Sequence, residues 1–137
     1  MQNFEAIAMM RAKTAPRVVL VIEDEDNIAL ALQYVITREG HEYHRISDGA
    51  DAERKIRELR PDLILLDIML PHVSGYEICQ LIRRDAEMGD MKILMMTARG
   101  SAMQMDRAIE MGADGFLAKP FSLEELRLKM RSQLEQG

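Results

Sequence analysis

Five short runs of β-forming residues recur along the chain, at 18–22, 42–46, 62–67, 91–97 and 115–118. Each is divided from the next by a segment whose apolar residues fall at helical spacing. Ile28, Leu32, Val35 and Ile36 share one helix face, and Ala52, Ile56 and Leu59 the next. Ile78, Leu81 and Ile82 mark a third helix, Met105, Ala108 and Ile109 a fourth, and Leu123, Leu126 and Met130 a fifth. Start signals agree: Ser74-x-x-Glu77, Ser101-x-x-Gln104 and Ser122-x-x-Glu125 are capping-box patterns, each opening a predicted helix. Gly40 and Gly112 stand where a left-handed residue ends one.

Strict alternation of strand and helix implies a parallel sheet covered on both faces, because parallel neighbours need a crossover of helical length. Right-handed crossovers leave few topologies. The expected fold is α/β: a flavodoxin-like, doubly wound five-stranded parallel sheet of order 2-1-3-4-5 with five helices. Residues 1–16 are set apart from this alternation and end on Pro16; they are expected to form an N-terminal extension, 17–137 being the folded domain. Phe4 to Met10 could make a short helix.

A chain of 137 residues holds one such domain. No apolar run approaches the roughly 18 residues of a membrane span, and the N-terminus lacks the charged start and apolar stretch of a secretory signal. The single cysteine, Cys79, excludes an intrachain disulfide framework and fits a reducing compartment. It is expected to be buried and inert on the third helix. A cytoplasmic protein is therefore expected. Net charge −5 argues against direct nucleic-acid binding. The twelve methionines read chiefly as flexible core filler. His41, His44 and His72 lack zinc-ligand spacing, and 54–60 is a solvated charged helix face.

In an open sheet of this kind, ligands bind beyond the carboxyl ends of the strands, where strand order reverses. Strand one runs into four acids, Glu23 to Asp26. Strand three ends on Asp67, strand four on Thr97 and strand five on Lys119-Pro120. Strands one and three are neighbours, so Glu23, Asp24 and Asp67 should converge. Oxygen-only ligands with room for water suit Mg²⁺ (or Mn²⁺) better than zinc. Glu25 and Asp26 have a milder reason, since a helix dipole favours acids in its first turn. Beside a cation, Asp67 could accept a phosphoryl group, Lys119 supplying positive charge and the Thr97 hydroxyl a hydrogen bond.

VLVIEDE, DLILLDIMLPHVSGYE, ILMMTAR, GADGFLAKPF and SLEEL together resemble the receiver domain of two-component response regulators, over about residues 17–132. The resemblance implies Asp67 as phospho-acceptor, with Glu23, Asp24, the Asp67 side chain and the backbone carbonyl of Met69 holding the metal. It implies Thr97 and Phe116 as the switch pair, Lys119 as the phosphate contact and a cis bond before Pro120. The implied partners are a sensor histidine kinase or histidine phosphotransfer protein and a downstream protein target. The readout surface would be residues 101–111 and 121–130. Such a chain is not an enzyme beyond catalysing its own phosphorylation and dephosphorylation.

Glu23 stands where Asp is more frequent in the family. Positions that pair charges across dimers in the winged-helix branch are Met105 and Gly115 here, with Glu125 and Lys129 retained, so a monomer or weak dimer is expected. The sequence reads as a stand-alone receiver. A nucleotide-binding module is disfavoured, because neither G-x-G-x-x-G nor G-x-x-x-x-G-K-[ST] occurs and EDED repels phosphate. Two alternatives stay open: a metal-dependent phosphatase with an aspartyl-phosphate intermediate, and a phosphorylation-independent interaction module.

Overall fold

The computed structural model describes residues 16–135; the extension's first fifteen residues, including the short helix expected at Phe4 to Met10, lie outside them. In chain order the elements are β1 (Val18–Ile22), α1 (Asp26–Arg38), β2 (Glu42–Ile46), a 3-10 turn (Gly49–Asp51), α2 (Ala52–Leu59), β3 (Leu63–Asp67), α3 (Gly75–Arg84), β4 (Lys92–Ala98), α4 (Ala102–Glu110), β5 (Gly115–Lys119) and α5 (Leu123–Glu135). The strands form one parallel sheet in the order β2-β1-β3-β4-β5, as the alternation predicts. Strand bounds differ from the predicted ones by at most a residue. Just before β3, Asp62 bonds through its backbone to Val18 and Lys92, and its carboxylate accepts the Val18 N–H at 2.8 Å.

Successive side chains on a strand point to opposite faces, and the core divides accordingly. Leu20, Ile22, Ile64, Leu66, Ile93 and Met95 face α2, α3 and α4, meeting Ile56, Ile78, Cys79, Ile82 and Ala108. Val19, Val21, Leu63, Leu65, Leu94 and Met96 face α1 and α5, meeting Leu32, Val35, Ile36, Leu126 and Met130. The central strands are apolar on both sides for this reason. Five methionines (88, 91, 95, 96 and 130) are buried, while Met69 and Met103 lie exposed.

Three residues assigned to apolar helix faces are exposed instead: Leu81, Ile109 and Leu123. Leu81 is turned from the sheet by Ile78, Cys79 and Ile82, and lines a groove between α2 and α3. Helix α4 buries only Ala108, and its neighbour Ile109, about 100° round the helix, faces out. Leu123 opens α5, one turn before the buried Leu126 and two before Met130.

The end signals act as expected. Ser74, Ser101 and Ser122 each accept the N–H three residues on. Among the described residues none of the three capping boxes closes with the return bond to the serine's own N–H; the Gln104 side chain turns away from Ser101 and accepts the Ala98 N–H at 2.7 Å. Gly40 and Gly112 both have left-handed φ, +84° and +103°. Among the described residues no helix is long and apolar enough to cross a membrane.

Candidate functional site

The carboxyl ends of β1, β3, β4 and β5 bring the candidate residues to one rim of the sheet. Glu23 follows β1 directly and is fully buried; Asp24 beside it is exposed. Asp67 closes β3 and is almost buried. Carboxylate oxygens of Glu23, Asp24 and Asp67 lie within 4.8 Å of one another. The Lys119 ammonium, from the end of β5, reaches Glu23 Oε1 at 2.6 Å and Asp67 Oδ1 at 3.2 Å. The convergence predicted from strand order is present, and the Lys119–Pro120 bond is cis.

Backbone groups finish the cradle. The Met69 N–H donates to Asp67 Oδ1 at 3.2 Å, while the Met69 side chain stands 73% exposed at the rim. The Glu25 N–H donates to the second Glu23 oxygen at 3.3 Å. Gly75, the first residue of α3, donates its N–H to the Ile68 carbonyl at 3.0 Å. A Cβ there would stand 2.3 Å from the Asp67 carbonyl oxygen, so only glycine permits α3 to approach the end of β3 this closely.

Three carboxylates share the nook with the Lys119 ammonium, so acids outnumber the base there. Burial, reinforced by the neighbouring Asp67, pushes the Glu23 carboxyl up to about 7 despite the bond from Lys119. Burial alone would depress the Lys119 ammonium, but its bonds to the two acids outweigh that and raise it. An all-oxygen donor set in which acids outnumber the ammonium, and in which a buried carboxylate resists ionisation, fits a hard divalent cation such as Mg²⁺ or Mn²⁺.

Thr97, on β4 beside the residue paired with Asp67, is buried, and its hydroxyl has no hydrogen-bond partner among the described residues. A buried unpartnered hydroxyl costs roughly 1–3 kcal/mol, an expense tolerated where a ligand later fills the gap. Phe116 is half-buried; Lys129 donates to its carbonyl at 2.7 Å, with the ammonium 4.8 Å from the ring centre. Glu125 bonds to Ser122 and to Arg99. The two charges retained for dimer pairing are thus both engaged within the chain.

Sequence reasoning missed Arg45, which grips the Glu23 carbonyl from β2 with two bonds; its only signal was a basic residue near the end of the strand beside β1. It also missed that Lys119 bridges both buried acids. Cys79 is buried as expected, its thiol pushed up to about 11. His72 is exposed as expected, and its ring also meets Asp48 at 3.0 Å.

Comparison with known proteins agrees with this geometry. Residues 19–131 match the family model described as the response regulator receiver domain. The phosphate regulon transcriptional regulatory protein PhoB of Rhizobium meliloti is 39% identical over 119 residues, covering 87% of this chain and 52% of that protein. The DNA-binding response regulator MtrA of Mycobacterium tuberculosis is 37% identical, over 87% of this chain and 51% of its own length. The chain therefore spans about half the length of the curated relatives it matches. Among solved structures, a putative response regulator from Chloroflexus aurantiacus superposes with a TM-score of 0.84 at 33% identity, covering 87% of this chain and 98% of that one. The chemotaxis response regulator CheY4 of Vibrio cholerae does so with 0.80 at 28% identity, covering 88% and 99%. On fold, strand-end chemistry and sequence together, the chain belongs to the receiver domains of two-component response regulators.

Proposed function

We propose that Asp67 accepts a phosphoryl group from a phosphohistidine on a sensor histidine kinase or histidine phosphotransfer protein. One observation carries this reading: a nearly buried aspartate at a strand end shares a nook with two further acids and has a lysine 3.2 Å away. Glu23, Asp24, the Asp67 side chain and the Met69 carbonyl would hold Mg²⁺ or Mn²⁺. When bound, that ion neutralises charge on the transferring oxygens.

An Asp67 carboxylate oxygen attacks phosphorus; an O–P bond forms as the N–P bond breaks, its electron pair leaving on the imidazole. Lys119 holds a compact positive charge against the incoming oxygens. The Thr97 hydroxyl, otherwise unpartnered, donates to one of them. Its movement makes room for Phe116 to turn inward, and the change is read on 101–111 and 121–130. Phosphorylation acts here by favouring one of two arrangements. The unpartnered hydroxyl and the half-buried ring support this.

We further read 17–137 as the receiver unit and 1–16 as an extension, since β1 opens at Val18. The protein is taken as a cytoplasmic monomer or weak dimer that catalyses only its own phosphorylation and dephosphorylation and meets a downstream protein, not nucleic acid, directly. The phosphatase reading needs an acid two residues after the nucleophile, and that place is Met69, which has no proton to give.

The test is incubation with acetyl phosphate and Mg²⁺ followed by intact-mass measurement. The expected result is one added phosphoryl group, absent in Asp67→Asn and after chelation. Continuous phosphate release with turnover would favour the phosphatase, and an unchanged mass the phosphorylation-independent module.

A further inference from the structure

The turn after β1 is held from outside the site. The Glu23 N–H donates to the Ile46 carbonyl at 3.1 Å. The Glu23 carbonyl accepts two bonds from the Arg45 guanidinium, Nε at 3.1 Å and Nη2 at 2.9 Å. The two peptides flanking Glu23 are therefore each held by one of the last two residues of β2, Ile22–Glu23 by Ile46 and Glu23–Asp24 by Arg45. Rotation of the Glu23–Asp24 peptide would swing the Asp24 carboxylate, which hangs from it, and shift Glu23 against Lys119. Arg45 also pairs with Asp26 at 2.9 Å, but that carboxylate is 91% exposed and the pair is correspondingly weak. The Arg45 side chain is itself only 23% exposed. Its planar fork suits a two-bond grip on one carbonyl, which a lysine ammonium does not reproduce.

We infer that Arg45 is a positioning residue for the cation site, orienting the Glu23–Asp24 peptide so that both carboxylates face Asp67; this rests on the metal-dependent phospho-acceptor reading above. Two effects of Arg45 oppose each other. Its positive charge repels a divalent cation, so by charge alone its removal tightens binding. Its grip holds ligands in place, so by geometry its removal loosens binding. Groups that orient metal ligands through a hydrogen bond are worth 10–100-fold in affinity, and two donors on one carbonyl form a rigid hold. Geometry prevails here.

The experiment titrates Mg²⁺ into the full chain by calorimetry, with the Asp24 amide followed by NMR, below the unfolding temperature of every variant. Arg45→Met and Arg45→Lys are both expected to weaken Mg²⁺ binding about tenfold and to move the Asp24 amide resonance before any metal is added. Asp26→Ala is expected to leave affinity near that of the unaltered chain. Arg45→Lys keeps charge and stem, and carries the test alone if Arg45→Met does not fold. Affinity in Arg45→Met equal to or tighter than in the parent overturns the inference, as does full affinity in Arg45→Lys or an equal loss in Asp26→Ala. If the parent chain binds no Mg²⁺, the phospho-acceptor reading falls as well; normal parent binding with unaffected variants sinks only the role of Arg45.

Discussion

Replacing Lys119 by methionine removes the ammonium that bridges Glu23 and Asp67. In the metal-free protein the consequence depends on pH in a calculable way. Folding raises the Glu23 carboxyl from its usual 4.5 to about 7. Its contribution to stability is therefore fully present below 4.5 and is lost as pH rises through about 7, a swing of roughly 3 kcal/mol. The Lys119 bond opposes that rise; without it Glu23 stays protonated to higher pH. Below about pH 7 the two proteins then differ chiefly by the lost partner of Asp67. Above it the gap widens by up to about 1.4 kcal/mol per pH unit. At pH high enough to ionise Glu23 in both proteins, the variant has one positive charge fewer in the nook, binds Mg²⁺ more tightly and gains more stability from it. Urea unfolding from about pH 6 to about pH 9, with and without Mg²⁺, reads both effects. A gap that stays constant or narrows with rising pH, or equal Mg²⁺ rescue of the two proteins, would refute the reasoning.

Other parts of the molecule give sharper, smaller tests. Gly75→Ala puts a methyl group against the Asp67 carbonyl; it should cost about 1–3 kcal/mol in denaturant unfolding and slow phosphorylation, and a neutral outcome would contradict the close approach. His41 accepts the Arg17 N–H on Nδ1 at 3.1 Å, and burial holds its imidazole below the usual 6.5. Its contribution is thus present above 6.5 and lost as pH falls, and His41→Asn should flatten that acid-side slope in thermal melts. Hydrolysis of the acyl phosphate should take minutes or longer. Met69 is apolar, and the Arg99 guanidinium is engaged by the Pro120 carbonyl and Glu125, so neither orients an attacking water. Loss of label within seconds would count against that.

Much of this was legible because periodicity and end signals report backbone geometry. Val18–Ile22 reads as a doubly buried strand, and Ser74 and Ser122 as caps, without knowledge of any neighbour. Strand order then brought Glu23, Asp24, Asp67, Thr97 and Lys119 to one rim. What sequence could not supply were contacts fixed by packing and register. Leu81, Ile109 and Leu123 have helical spacing, but spacing does not say how wide a stripe the sheet covers. Arg45 meets the Glu23 carbonyl only because Val21 and Arg45 stand opposite each other in the parallel ladder. Lys119 bonds to Glu23 across 96 residues of chain and two intervening strands, a contact that no local pattern announces.

The most direct measurement locates the phosphoryl group itself. After acetyl phosphate and Mg²⁺, borohydride reduction converts an acyl-phosphorylated aspartate to homoserine, which peptide mass spectrometry assigns to a residue. Conversion confined to Asp67 is the predicted result. Homoserine at Asp24 or another aspartate, or none at all with the protein folded and Mg²⁺ bound, would contradict the claim that these strand ends assemble a phospho-acceptor.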